Sequence, residues 1–120
     1  MTDFSDLHHL AERARSHIAE LSPGEARCKV AEGALLIDVR DAEELMWNQP
    51  LAGAVHLSRG RLEYLITDAV SSKDEPLVIY CAGGHRSVLA AASLRDLGYS
   101  HVYTIRGGLH AWRQNAGQNW

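Results

Sequence analysis

Cysteine is scarce in this 120-residue chain: only Cys28 and Cys81 are present. Two thiols are too few for the disulfide framework of a small secreted domain and fit a reducing compartment, so each has to be judged singly. No apolar run approaches the length needed to span a bilayer, and Met1-Thr2-Asp3-Phe4-Ser5-Asp6 carries acid where a signal peptide would carry Lys or Arg. The expectation is a cytoplasmic protein without membrane partners. A basic excess is also missing, since 15 acidic residues outnumber 12 Lys and Arg along the chain. With no basic stripe to neutralise phosphates, nucleic acid is not an expected partner.

What is present fits one packed domain. Hydrophobic residues make up 46% and charged residues 22%, the balance of a globular chain rather than a disordered one. A chain of this length buries roughly two-thirds of its unfolded surface around a single core.

Leu7, Leu10, Ala11, Ala14, Ile18 and Leu21 recur at helical spacing, so residues 5 to about 19 read as an amphipathic helix. Residues 1–20 are accordingly expected to form an N-terminal helical extension and 21–120 the domain proper. Ser22-Pro23-Gly24-Glu25 has capping-box spacing with proline at the first helical position, and Gly33 ends the helix that it starts. Apolar runs at 34–39, 54–57, 77–80 and 102–105 read as strands. Helices are expected between them: one capped by Asp41, one carrying Leu62, Leu65, Ile66 and Ala69, one over Val88 to Leu94, and one from Leu109 to Asn115. This alternation predicts an α/β fold, a parallel sheet of about five strands with helices on both faces.

In such sheets ligands bind beyond the carboxyl ends of the strands, which is where Cys81 stands. The chain runs Cys81-Ala82-Gly83-Gly84-His85-Arg86-Ser87 and then enters a helix. Backbone N–H groups of such a loop and of the first helical turn point at the cysteine sulfur, and the helix dipole favours negative charge there. With Arg86, and His85 when protonated, this field favours the nucleophilic thiolate. Gly83 and Gly84 suit a loop that wraps its amides around an anion, and Ser87 can cap the helix or donate to the anion. The plain alternative is an inert buried thiol before an ordinary strand-to-helix turn.

Four segments in order resemble the rhodanese family over about residues 21 to 115. They are Leu36-Ile37-Asp38-Val39-Arg40 with Glu43-Glu44, Gly53-Ala54-Val55-His56-Leu57, the loop from Val78 to Ser87, and Arg106-Gly107-Gly108 through Ala111-Trp112. Where many relatives read Gly-His-Ile-Pro before the second segment, this chain reads Gln49-Pro50-Leu51-Ala52. The resemblance implies a rhodanese-like fold and a sulfurtransferase. Cys81 would take sulfane sulfur from thiosulfate or a similar small anionic donor as a persulfide and pass it to cyanide, a thiol or a protein acceptor. Ala82, Gly83, Gly84, His85, Arg86 and Ser87 would hold the sulfur and its donor, with no metal or organic cofactor required. Related cysteine phosphatases place five residues between cysteine and arginine where this loop has four, which argues against phosphate or arsenate chemistry. A persulfide carrier or redox-sensing module without turnover is the other alternative.

Other residues are weighed against structural roles. Asp38 and Arg40 read as a structural pair at a strand end. Arg59 could assist anion capture at the same sheet edge or be a solvated helix-start residue. Trp112 reads as a packing residue. His8, His9 and His17 lack ligand spacing to a cysteine pair and are expected to face solvent. Cys28, between Arg27 and Lys29, reads as a plain packed or surface thiol.

Overall fold

The computed structural model describes residues 4–116. Along the chain these form α1 (Phe4–Arg15), β1 (Ala19–Leu21), α2 (Pro23–Ala31), β2 (Leu35–Asp38), a 3-10 turn (Ala42–Met46), β3 (Val55–His56), α3 (Leu62–Ala69), β4 (Leu77–Tyr80), α4 (His85–Asp96), β5 (Val102–Ile105) and α5 (Gly108–Ala116). The strands make one sheet in the order β1-β5-β4-β2-β3, and every pairing is parallel. This is the α/β architecture expected, with five strands.

The continuous apolar runs follow from burial of the sheet on both faces. In β4, Leu77 and Ile79 point into one core with Leu62, Ile66, Val88 and Leu94, while Val78 and Tyr80 point into the other with Ala26, Ile105 and Leu109. Thus α1, α3 and α4 cover one face, and α2 and α5 the other. Burial of each such Leu or Ile contributes about 1.5–3 kcal/mol, so the central strand is fixed most firmly.

The capping box before α2 forms as read: Glu25 N–H donates to Ser22 Oγ at 3.1 Å and Ser22 N–H to Glu25 Oε1 at 2.8 Å. The first helix is shorter than its periodicity suggests. It ends at Arg15, a turn follows in which His17 N–H donates to Ala14 O and Ile18 N–H to Arg15 O, and Ala19–Leu21 pair with Tyr103–Ile105. The expected helix over 5 to 19 therefore overran a strand, and a boundary between residues 20 and 21 falls inside β1. Edge pairing won because Ile18 and Leu21 serve sheet burial as well as a helical stripe. The segment capped by Asp41 is a 3-10 turn, and β3 keeps only two of the four residues expected. Among the described residues no helix is long and apolar enough to cross a membrane.

Candidate active site

β4 delivers Cys81 to the carboxyl edge of the sheet. Its pairing with β2 runs one residue past the strand, Val39 N–H donating to Tyr80 O at 3.0 Å, and Cys81 follows with 1% of its surface exposed. Gly84 caps α4 in a left-handed conformation, φ +102°, which a side chain would resist. The chain curls back over the thiol. Gly84 N–H donates to Cys81 Sγ at 3.1 Å, Ser87 N–H at 3.4 Å, and the Ser87 hydroxyl lies 3.5 Å away. Two backbone N–H donors at the start of α4 thus converge on one sulfur, where they stabilise negative charge, and the thiol itself donates to the Ser87 hydroxyl. Of the loop amides expected around the sulfur, Gly84 and Ser87 are the ones in contact.

The other side of the loop is held by α5. Leu109 N–H donates to Cys81 O at 2.8 Å and His110 N–H to Ala82 O at 3.2 Å. A Cβ on Gly108 would fall 2.5 Å from Cys81 O and 2.7 Å from Ala82 O, so this approach requires glycine. Because a peptide's C=O and N–H point in opposite directions, engaging these carbonyls turns the N–H groups of Ala82 and Gly83 away from α5. Gly108, 27 residues from the thiol in sequence, therefore sets the orientation of the sulfur loop.

Arg86 is not a free cation at the mouth. Its Nη1 and Nη2 grip Glu44 Oε2 and Oε1 at 2.6 and 2.8 Å, with Asp41 Oδ2 at 3.8 Å. Arg86 holds the Glu44 carboxyl down at about 2, and Glu44 in turn raises the Arg86 guanidinium above its ordinary value. The loop's fixed positive charge is thus already compensated, with 30% of the arginine side chain still exposed. His85 faces α1, where its Nδ1 lies 3.2 Å from Arg15 Nη2 and its ring stacks on His8. Burial first, then His8 and Arg15, push His85 below its usual value and towards the neutral form. The extra cation that His85 was expected to offer when protonated is correspondingly disfavoured.

Arg59 follows β3 at the same sheet edge, its N–H on Val39 O, but its guanidinium turns to Glu63 Oε2 at 3.0 Å. Among the described residues no hydrogen bond or ion pair joins its side chain to the loop. Asp38 and Arg40 form a buried bidentate pair, 0% and 1% exposed, with Arg40 Nη2 2.8 Å from Asp38 Oδ2. Trp112 packs under the Arg27 guanidinium, 4.4 Å from its ring centroid, a packing role as read. The departing segment at 49–52 is tied down by Leu51 N–H donating to Tyr80 Oη at 2.9 Å and by Arg113 donating to Gln49 O. Cys28 is exposed on α2.

The match to known proteins agrees with this geometry. A family model described as "Rhodanese-like domain" matches residues 22–115. The chain belongs to the rhodanese family. Among curated relatives, a protein named thiosulfate sulfurtransferase GlpE from Pseudomonas savastanoi pv. phaseolicola is 38% identical over 93 residues, covering 78% of this chain and 85% of the relative. The Haemophilus influenzae protein of the same name is 30% identical over 93 residues, covering 78% and 86%. Among solved structures, a Rhodopseudomonas palustris protein of unknown function, described as a possible tyrosine phosphatase, superposes with a TM-score of 0.85 at 30% identity, covering 97% of this chain and 95% of that one. The polysulfide-sulfur transferase homodimer of Wolinella succinogenes gives 0.76 at 28% identity, covering 93% and 85%.

Proposed function

We propose that this rhodanese is a sulfurtransferase that carries sulfane sulfur on Cys81, with thiosulfate or a similar anion as donor and a thiol or cyanide as acceptor. The observation that carries the reading is the convergence of the Gly84 and Ser87 N–H groups on Cys81 Sγ. The relatives named thiosulfate sulfurtransferase support the donor class.

The reaction is two displacements at sulfur. The Cys81 thiolate attacks the outer sulfur of thiosulfate. A new S–S bond forms, the bond to the sulfonate sulfur breaks, and its electron pair leaves with sulfite. The outer sulfur of the persulfide now carries the charge, and the amides of the loop from Ala82 to Ser87 stabilise it, those of Gly84 and Ser87 contacting Sγ, the sulfur to which it is bonded. Cyanide or an acceptor thiolate then attacks that outer sulfur, forming thiocyanate or a new persulfide and returning the electron pair to Cys81. Each step balances with these atoms alone. Arg86, locked to Glu44, contributes a fixed dipolar pair at the entrance and attracts the donor less than a free cation would.

The R. palustris neighbour's description raises phosphate chemistry as a second reading. Four residues between Cys81 and Arg86 make a tighter cradle than the phosphatase loop, which favours sulfur. Intact-mass measurement separates the readings: thiosulfate should add one sulfur to the wild-type chain, cyanide should remove it, and Cys81→Ser should gain none. Hydrolysis of a small aryl phosphate at a rate matching sulfur transfer would overturn the assignment.

A further inference from the structure

α1 lies outside residues 22–115, which match the family, yet it reaches the sulfur loop. Arg15, at its carboxyl end, donates from Nη2 to Nδ1 of His85 at 3.2 Å, from Nε to Glu12 Oε1 at 3.2 Å, and from Nη1 to Glu20 of β1. Two turns earlier on α1, the His8 ring stacks on His85 with centroids 4.5 Å apart and 26° between planes. A guanidinium has only hydrogens to offer, so Nδ1 must accept and the hydrogen of the neutral ring must sit on Nε2. The groups facing His85 are His8, Glu12 and Arg15 from α1 and Glu20 from β1, while its helix neighbour Arg86 turns to Glu44. Among the described residues no third metal-ligating side chain joins the histidine pair, so the arrangement is a clamp rather than a metal site.

His85 stands between the two residues that donate to the sulfur. Gly84 precedes it, Ser87 follows two residues later, and both N–H groups belong to the helix start that His85 opens. Fixing this ring fixes the first turn of α4, and the aim of both donors depends on that turn.

We propose that Arg15 is a positioning residue for the sulfur site, holding His85 as the neutral Nε2–H tautomer and so pinning the amides that face Cys81. The inference rests on the reading of Cys81 as the sulfur carrier. One hydrogen bond of this kind corresponds to about a three- to ten-fold effect on rate.

The test uses the full chain with thiosulfate and cyanide, beside ring nitrogen NMR of His85. In the wild type the spectrum should show Nε2–H, with a titration midpoint below the ordinary histidine value. Arg15→Met should mix the tautomers, raise the midpoint and lower kcat/KM about three- to ten-fold in slightly alkaline buffer, where His85 is neutral in both chains. Arg15→Lys, which keeps a charged donor, should restore most of the loss even if Arg15→Met folds poorly. In a His85→Ala background Arg15→Met should cost nothing further. A wild-type Nδ1–H tautomer, an unchanged kcat/KM in Arg15→Met, or full additivity with His85→Ala would overturn the proposal. A wild type that acquires no sulfur from thiosulfate would instead sink the reading of Cys81, and the ring spectrum would still decide the clamp.

Discussion

Glu44 and Arg86, 42 residues apart in sequence, are locked by two parallel hydrogen bonds of 2.6 and 2.8 Å beside the sulfur loop. The pair joins the 3-10 turn after β2 to the first turn of α4, so it ties together the two segments that flank the site.

This pair makes stability depend on acid. The Glu44 carboxyl is held at about 2 in the folded chain, below its unfolded value near 4.3, so its contribution is complete above the unfolded value and is lost as pH falls towards 2. With about a third of each side chain exposed, solvent screening leaves roughly 1–2 kcal/mol of this. Glu44→Gln should therefore unfold at lower urea than the wild type at neutral pH. The gap should close as the two chains are titrated down, and a gap independent of pH would show that the carboxylate is not its source.

Removing Arg86 should do more than remove a cation. Arg86→Ala leaves Glu44 as an uncompensated anion at the entrance, which repels an anionic donor. Unmasking that charge at a partly exposed entrance is worth about 1–2 kcal/mol, so kcat/KM for thiosulfate should fall roughly five- to thirty-fold. Adding Glu44→Gln to Arg86→Ala should recover part of the loss. Steady-state kinetics on the three variants would reject the argument if the double variant were worse than Arg86→Ala.

The two glycine pairs should respond unequally. Gly108→Ala places a methyl 2.5 Å from Cys81 O at φ +61° and should cost more than ~2 kcal/mol while also lowering sulfur transfer. Gly83 has nothing within 4 Å of a built Cβ and a φ outside the left-handed region, so Gly83→Ala should change the melting temperature little. Thermal melts of both decide this, and equal destabilisation would contradict it.

Size should decide which thiol reacts. Cys81 is 1% exposed but faces two N–H donors, whereas Cys28 is exposed on α2 without them. Iodoacetamide at neutral pH should label Cys81 faster, and a bulky maleimide should label Cys28 faster. Peptide mapping after brief exposure would expose an error if both reagents chose the same thiol.

Legibility in the sequence tracked locality. The capping box at Ser22 and Glu25 is written in adjacent residues, and the thiol at the end of a four-residue apolar strand announces its own position. β1 was hidden because Ala19-Glu20-Leu21 is three residues long with an acid at its centre, and only pairing with β5 makes it a strand. The partners of Arg86 and His85 come from 42 and 70 residues away, and no local pattern records which carboxylate or guanidinium will meet them. Reading Arg86 and His85 as loop cations was natural from the loop alone, and the elements packed against it changed their charge balance.

The short β1 also governs how the chain behaves towards copies of itself. It is an edge strand of three residues, with exposed Ala19 and partly exposed Glu20, and it shields β5, whose Val102, Thr104 and Ile105 are buried. An edge so brief and interrupted by a carboxylate is a poor template for another strand. If β1 were removed, the row of unpaired peptide groups along Val102–Ile105 would become the border of the sheet, longer and more apolar than the border it replaces. A chain shortened past residue 21 would thus gain a tendency to self-associate through β5 that has nothing to do with the sulfur site.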